Sequence, residues 1–161
     1  MSRFETDSRI ALSVLDRLID CEPGNLNEAP ASRAESLRQL KESVRRDLEW
    51  LLNTRRPIHE ISAELKETLR SLAVYGVSDF STLSARNLAD QERMCRVVQD
   101  AIRTFEPRLR DVTVTAEPGR EFEHMLHFRI RAYLEVEPAP EQVNFDTSLQ
   151  IFSTEFKVQG D

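Results

Sequence analysis

The sequence predicts an α+β fold, with N-terminal helices packed on one face of a small, mostly antiparallel C-terminal sheet. Apolar residues recur every three or four positions through the first two thirds of the chain, as in amphipathic helices. After Pro107 apolar and polar residues alternate instead, which is typical of strands with one buried face. The length of 161 residues fits a single core.

The first 31 residues are predicted to form an arm outside the core domain of residues 32–161. Helical spacing in the arm predicts a short helix with one apolar face, formed by Val14, Leu15, Leu18 and Ile19. Residues 21–31 contain two prolines, one glycine and two asparagines, which is typical of a linker.

A long helix is predicted to begin near Arg33, because Ser32 and Glu35 have the spacing of a capping box. Its core-facing stripe consists of Leu37, Leu40, Val44, Leu48, Leu51 and Leu52. Trp50 lies roughly opposite the centre of that stripe. This position leaves two alternatives open: the indole packs beneath the N-terminal arm, or it contacts a partner.

Two further helices are predicted, over residues 58–72 and about 87–104. The first has apolar residues at helical spacing, namely Ile58, Ile61, Leu65, Leu69 and Leu72. The second has a stripe formed by Leu88, Cys95, Val98, Ile102 and Phe105. A turn at Gly76 separates the two helices, and Pro107 cannot continue the second.

Alternation of apolar and polar residues predicts three or four strands after Pro107. The first is centred on Val112, Val114 and Ala116, and a turn at Pro118-Gly119 follows it. The clearest strand covers residues 126–136 and ends before Pro138. One or two further strands are predicted within residues 145–153 and 155–158.

Composition argues against several functional classes. The net charge of −6 argues against a general nucleic-acid-binding protein, which usually carries a basic stripe. No apolar run approaches the roughly 20 residues of a membrane span, and the N-terminus does not resemble a signal peptide, so a cytoplasmic location is expected. Cys21 and Cys95 lie far apart in sequence, and reduced thiols are expected.

Sequence motifs give no support for a cofactor or a metal. The four glycines are too dispersed for a phosphate-binding loop, and no nucleophile elbow occurs. His124 and His127 are three residues apart, a spacing that points them to opposite faces near a strand. No pair of carboxylates is singled out among the 28 acidic residues, so catalysis is not expected.

Charged residues at the ends of predicted elements remain as candidates for fixed ion pairs: Asp47, Arg55, Glu106 and Arg108. One alternative is that Glu106 and Arg108 only cap or pair locally, where the last helix turns into the first strand. The other is that a partner binds there.

Four segments, in their order along the chain, resemble the TssE family of type VI secretion baseplate wedge subunits. They are SVRRDLEWLLNTRR at 43–56, VYGVSDF at 74–80, FEPRLRDVTV at 105–114 and VNFDTSLQIFSTEFKV at 143–158. The family is related to small wedge proteins of contractile phage tails that are often labelled "lysozyme-like". The resemblance implies a structural subunit of a baseplate at the inner face of the cytoplasmic membrane, without enzymatic activity.

The resemblance also implies partners and sites. TssE-like proteins join TssF and TssG in the wedge and provide the platform on which the contractile sheath of TssB and TssC assembles. By position, Glu106, Pro107 and Arg108 are the motif that docks in the wedge. Further residues expected to serve partner binding are Asp47, Asn53, Arg55 and Trp50. The sheath-facing edge is expected at Glu155, Phe156, Lys157 and Val158.

Two other functions compete with this one. A peptidoglycan hydrolase, as the family label suggests, requires an acidic pair in a cleft and a route to the cell wall. A generic adaptor domain unrelated to secretion would not bind TssF and TssG.

Overall fold

The computed structural model describes residue 10 and residues 12–19, 32–57, 61–62, 64–84, 87–117, 125–150 and 155–160. The helices within these residues are α1 (Val14–Leu18), α2 (Arg33–Asn53) and α3 (Leu88–Phe105). The strands are β1 (Leu109–Glu117), β2 (Met125–Leu134), β3 (Glu141–Gln150) and β4 (Glu155–Gly160). Helices precede strands, so the predicted α+β fold is confirmed.

The four strands form one antiparallel sheet in the order β1-β2-β3-β4. Ile130 in β2 lies opposite Val114 of β1 on one side and opposite Phe145 of β3 on the other. Helix α2 packs against β4, and α3 packs against β1. The two helices thus cover one face of the sheet, and the buried side chains lie between the two layers.

Helix α2 begins as the sequence predicts, because the backbone N–H of Glu35 donates to Ser32 Oγ at 3.3 Å. Its predicted apolar stripe faces the sheet, with Val44, Leu48 and Leu52 fully buried. Helix α3 is capped by Asn87, whose side chain accepts from the N–H of Ala89 at 3.0 Å. Leu88 was expected on the core stripe of α3, but it is 74% exposed in the first turn.

The helix predicted over residues 58–72 is wrong for the part of that segment that the structure describes. Two short 3-10 turns, Thr68–Arg70 and Leu72–Val74, take its place. Ser71 separates them in an extended conformation; its hydroxyl donates to the carbonyl of Thr68 and accepts from the N–H of Ala73. These local bonds compete with the bonds of a continuous helix and leave the side chain of Leu72 exposed.

The segment after α2 is fixed by a short parallel bridge between Arg55 and Val77. The N–H of Val77 donates to the carbonyl of Thr54 at 2.9 Å, and the N–H of Arg56 donates to the carbonyl of Val77 at 3.0 Å. Gly76 permits this approach, because its φ is +106° and a Cβ would lie 2.3 Å from the Thr54 oxygen. The bridge therefore determines where the chain leaves α2.

Several predictions concern residues outside those described. They are the linker at 21–31, Cys21, the turn at Pro118-Gly119 and the position of His124.

Candidate functional site

The helix-to-strand corner between α3 and β1 is tightly hydrogen-bonded. The N–H of Glu106 ends α3 by donating to the carbonyl of Ile102 at 2.8 Å. The N–H of Leu109 then donates to the carbonyl of Glu106 at 3.1 Å, which closes the turn. Pro107 lies at the tip of the turn and is exposed, whereas Glu106 is only 5% exposed.

Arg108 is the centre of the polar contacts at this corner. Its Nε and Nη2 donate to the two carboxylate oxygens of Glu106, each at 2.6 Å. Nη2 also donates to Asp47 Oδ2 at 2.6 Å, and Nη1 donates to Ser43 Oγ at 3.2 Å. The hydrogen bond with Glu106 raises the pKa of Arg108 despite partial burial, and Asp47 adds to this shift. Local pairing is therefore present, and it also connects the corner to α2.

These contacts belong to a closed ring of side chains, here called the charged ring: Asp16, Ser43, Arg46, Asp47 and Arg108. Ser43 Oγ donates to Asp16 Oδ2 at 2.6 Å, and Arg46 Nη2 donates to Asp16 Oδ1 at 2.8 Å. Arg46 also donates to Asp47 Oδ1 at 3.1 Å, which completes the ring through Arg108. The charged ring thus joins three parts of the chain: α1, α2 and the α3–β1 corner.

Asp16 is the member of the charged ring that comes from the N-terminal arm. Burial alone would raise its pKa, but hydrogen bonds from Ser13, Ser43 and Arg46, with the charge of Arg46, outweigh burial and lower the pKa to about 2. The carboxylate is therefore ionised at neutral pH.

An open cleft of about 350 Å³ lies beside the corner. Tyr75 and Phe105 form part of its apolar side, with ring centroids 5.2 Å apart in an edge-to-face arrangement. Burial raises the pKa of the Tyr75 phenol, and the charges of Asp47 and Glu106 raise it further. The cleft is lined by Ser13, Asp47, Leu51, Tyr75, Phe105, Glu106, Pro107 and Arg108.

Asn53 and Arg55, two of the expected partner-binding residues, lie at β4. The side-chain amide of Asn53 donates to the carbonyl of Phe156 at 2.9 Å and accepts from the N–H of Phe156 at 2.8 Å. Arg55 donates to the carbonyl of Leu52 at 2.9 Å, and its guanidinium lies 6.0 Å from the centroid of the Phe156 ring. The structure therefore brings together Asp47, Glu106, Pro107 and Arg108 as one group, with Asn53 and Arg55 as a second group.

Trp50 lies near the charged ring without belonging to it. Its side chain is 54% exposed, and the guanidinium of Arg46 lies 5.2 Å from the ring centroid. The described part of the arm, residue 10 and residues 12–19, does not bury the indole, which was one of the two alternatives. The exposed indole remains available to a partner.

The segment expected to face the sheath, Glu155 to Val158, forms most of β4 at an edge of the sheet. Phe156 and Val158 are buried, whereas Glu155 and Lys157 point outward. Because Asn53 binds both backbone groups of Phe156, these groups point away from β3, and so do those of Val158 two residues later. The carbonyl of Val158 accepts from Arg45 Nη1 at 3.1 Å. Helix α2 therefore occupies part of this edge.

The opposite edge, along β1, is covered by side chains of α3. Arg103 donates to the carbonyl of Val112 at 3.0 Å, and the N–H of Val114 donates to Gln99 Oε1 at 3.3 Å. Burial raises the pKa of the Cys95 thiol, and the neighbouring backbone of Ala116 partly offsets that rise. Four residues along the helix span nearly the same distance as two residues along the strand, so these three side chains follow the edge from Val112 to Ala116.

The sequence did not identify Asp16, Ser43 and Arg46 as members of a site, nor Arg45 as a contact of β4. Ser43, Arg46 and Asp47 follow one another closely on α2, but no sequence signal relates them to Asp16. Arg45 and Asn53 are eight residues apart and lie about 80° apart around the helix axis, which is only a weak signal that both could meet β4.

The described residues give no sign of a metal centre or a membrane span. No group of three or more His, Cys, Asp or Glu residues in that part of the chain has the arrangement of a metal site. No helix among them is long and apolar enough to cross a bilayer.

Sequence comparison relates this chain to a known protein family. No curated protein matches the chain. The family model for baseplate wedge protein gp25 matches residues 38–139, which include most of α2, the α3–β1 corner and both β1 and β2. This match covers more than half of the chain and confirms the resemblance to TssE, the type VI secretion counterpart of that phage protein. The chain therefore belongs to the family of baseplate wedge protein gp25, whose members have a structural role in the baseplate.

Proposed function

We propose that this protein is the wedge subunit of a type VI secretion baseplate, where it joins TssF and TssG and supports assembly of the TssB–TssC sheath. Membership in the wedge family supports the structural part of this proposal. The choice of partners is based on the resemblance to TssE. The two surfaces proposed for them are the α3–β1 corner and the β4 edge.

The observation that carries the proposal is the braced corner at Pro107. Glu106 is buried beneath the turn and is held by Arg108, which is itself held by Asp47 of α2. These bonds fix the backbone on both sides of Pro107, so that the exposed tip is presented in one conformation. Rigid presentation lowers the entropy that is lost when a partner binds. The corner therefore serves as the docking point for TssF and TssG.

The same contacts disfavour a peptidoglycan hydrolase. Such an enzyme needs one carboxyl group to donate a proton and a second to act as base or nucleophile. Asp47 and Glu106 are the two carboxylates that line the cleft, and both bind the same nitrogen of Arg108 at 2.6 Å. Because one guanidinium binds both carboxylates, they are better placed to hold the corner together than to act as a proton donor and a base.

We infer that the sheath contacts the β4 edge rather than the β1 edge. At β1, one outward backbone group each of Val112, Val114 and Ala116 binds a side chain of α3. At β4, Asn53 and Arg45 bind Phe156 and the carbonyl of Val158, and the edge continues beyond them to Gly160. An extended segment of a sheath subunit would pair with this end of β4 by backbone hydrogen bonds.

Co-purification with TssF and TssG, run beside a cell-wall hydrolysis assay, tests the proposal. We expect a stable complex and no release of cell-wall fragments. Turnover of peptidoglycan would favour the hydrolase, and failure to bind either partner would favour the generic adaptor.

A further inference from the structure

The N-terminal arm binds the domain beside the proposed docking corner. Asp16 is the anchor of α1, since its side chain is only 10% exposed and binds Ser43 and Arg46. The apolar side chains of α1 are largely in solvent instead, with Val14 74% and Leu18 76% exposed. Polar contacts at one carboxylate therefore hold α1 in place, while Ile10 and Leu12 before it are partly buried against the core.

The domain side of this contact has the chemistry of a carboxylate-binding site. Ser43 is 5% exposed, and its hydroxyl donates to one oxygen of Asp16 at 2.6 Å. Arg46 donates to the other oxygen at 2.8 Å. A hydroxyl and a guanidinium that converge on the two oxygens of one group form charge-assisted hydrogen bonds with a carboxylate.

This site is connected directly to the docking corner. Ser43 Oγ, which donates to Asp16, also accepts from Arg108 Nη1 at 3.2 Å. Ser13, which precedes α1, lines the same cleft as Pro107 and Arg108. A partner seated at the corner would therefore meet the arm and the carboxylate site together.

We propose that Ser43 and Arg46 form a carboxylate-binding site, which Asp16 fills in the isolated subunit and an acidic side chain of the wedge partner fills after assembly. This inference rests on the proposed function, because it concerns the partner that docks at Pro107. The ligand class follows from the two converging donors and from the carboxylate that occupies them. Because Val14 and Leu18 are exposed, little apolar burial is lost when α1 leaves its position while Ile10 and Leu12 stay packed against the core.

Competition between Asp16 and the partner has a measurable consequence. A partner that binds only the open form has its apparent affinity reduced by the fraction of molecules in which the arm is released. An arm that is open in about one tenth of molecules would weaken binding roughly tenfold. Asp16→Asn keeps the size of the side chain but removes its charge. The variant should therefore regain most of the affinity that the bound arm costs.

The test is a binding titration of the purified TssF–TssG complex with three full-length proteins: wild type, Asp16→Asn and the control Asp100→Asn. Asp100 is an exposed acid on α3 and so controls for the loss of one negative charge. We expect Asp16→Asn to bind several-fold more tightly, up to about tenfold, and Asp100→Asn to bind like wild type. Hydrogen exchange at Val14–Leu18 should become faster when wild-type protein binds the partner.

The outcomes separate this inference from the proposed function. Equal binding by all three proteins would show that Asp16 does not compete with the partner. Weaker binding by Asp16→Asn, with the arm protected in the complex, would show the same. In either case the inference fails and the proposed function stands. If none of the three binds TssF–TssG, the proposed function fails and the inference falls with it. Arg46→Gln in the Asp16→Asn background should remove the gain in affinity, since it removes the site itself.

Discussion

Arg108 and Glu106 are joined by two hydrogen bonds of 2.6 Å at the point where α3 turns into β1. Glu106 is buried, and Arg108 is the cation that neutralises it. Because Arg108 also binds Asp47, the pair connects the corner to α2. The proposed docking motif is therefore a structural brace, with Pro107 as its exposed part.

Replacement of Arg108 by alanine should destabilise the fold strongly. The change leaves the buried carboxylate of Glu106 without its partner, which costs about 3 kcal/mol of unfolding free energy. Urea unfolding measures this loss. Arg110→Ala is the matched control, because Arg110 pairs with Glu135 while both side chains are more than half exposed, and it should cost about 0.5 kcal/mol or less. Equal losses in the two variants would show that the brace contributes nothing beyond an ordinary surface pair.

Asn53→Ala should open the β4 edge. The N–H and carbonyl of Phe156 lose the amide that binds both of them, and the loss of these hydrogen bonds costs about 1–2 kcal/mol. The Phe156 amide should exchange with solvent faster than in wild type, as hydrogen exchange with residue resolution can measure. Gln99→Ala is the equivalent change at β1 and should accelerate exchange at Val114 without affecting Phe156. Unchanged exchange at Phe156 would mean that Asn53 does not cover the edge in solution.

Acid should release the N-terminal arm. The pKa of Asp16 is about 2 when the arm is bound, below the ordinary value of 3.8. A lowered pKa stabilises the bound arm above pH 3.8, and this contribution is lost as the pH falls toward 2. Solvent screening limits the contribution to about 1 kcal/mol. The protection of the Val14–Leu18 amides, measured as exchange relative to the intrinsic rate at each pH, should therefore decrease between about pH 4 and pH 2. Asp16→Asn removes the titrating group, so a transition of the same size in that variant would assign the effect to another carboxylate.

Trp50 should report partner binding. Its indole is 54% exposed and lies beside Arg46, so a protein surface that covers it will remove water from the ring. We expect the emission of this single tryptophan to shift to shorter wavelength when TssF–TssG variants without tryptophan near the interface are added. An unchanged spectrum in a complex that does form would place Trp50 outside the interface.

Much of the fold could be predicted because it depends on local patterns. Ser32 and Glu35 identify the start of α2, and the alternation in residues 126–136 identifies β2, which ends two residues earlier at Leu134. The helix predicted over residues 58–72 does not form around Ser71, because the hydroxyl of Ser71 bonds to the backbone of Thr68 and Ala73. The spacing of apolar residues does not reveal such bonds.

The candidate site could be predicted only in part. Its position at the corner follows from Pro107, which ends α3, and from the resemblance to TssE. The charged ring depends on Asp16, Ser43 and Arg108, which are distant in sequence and meet only when α1, α2 and the corner pack together. The burial of Glu106 was likewise not predictable, because acidic residues near helix ends are usually solvated.

The affinity of Pro107→Glu for the TssF–TssG complex tests the central claim most directly. Pro107 is exposed, so this variant should keep the fold, which circular dichroism and urea unfolding check, while it places a charge at the proposed docking point. The control is Thr113→Glu, which adds the same side chain at an exposed position of β1. We predict that Pro107→Glu weakens binding at least about tenfold, or about 1.4 kcal/mol, and that Thr113→Glu leaves it unchanged. Wild-type affinity in a correctly folded Pro107→Glu protein would contradict the assignment of this corner as the docking site.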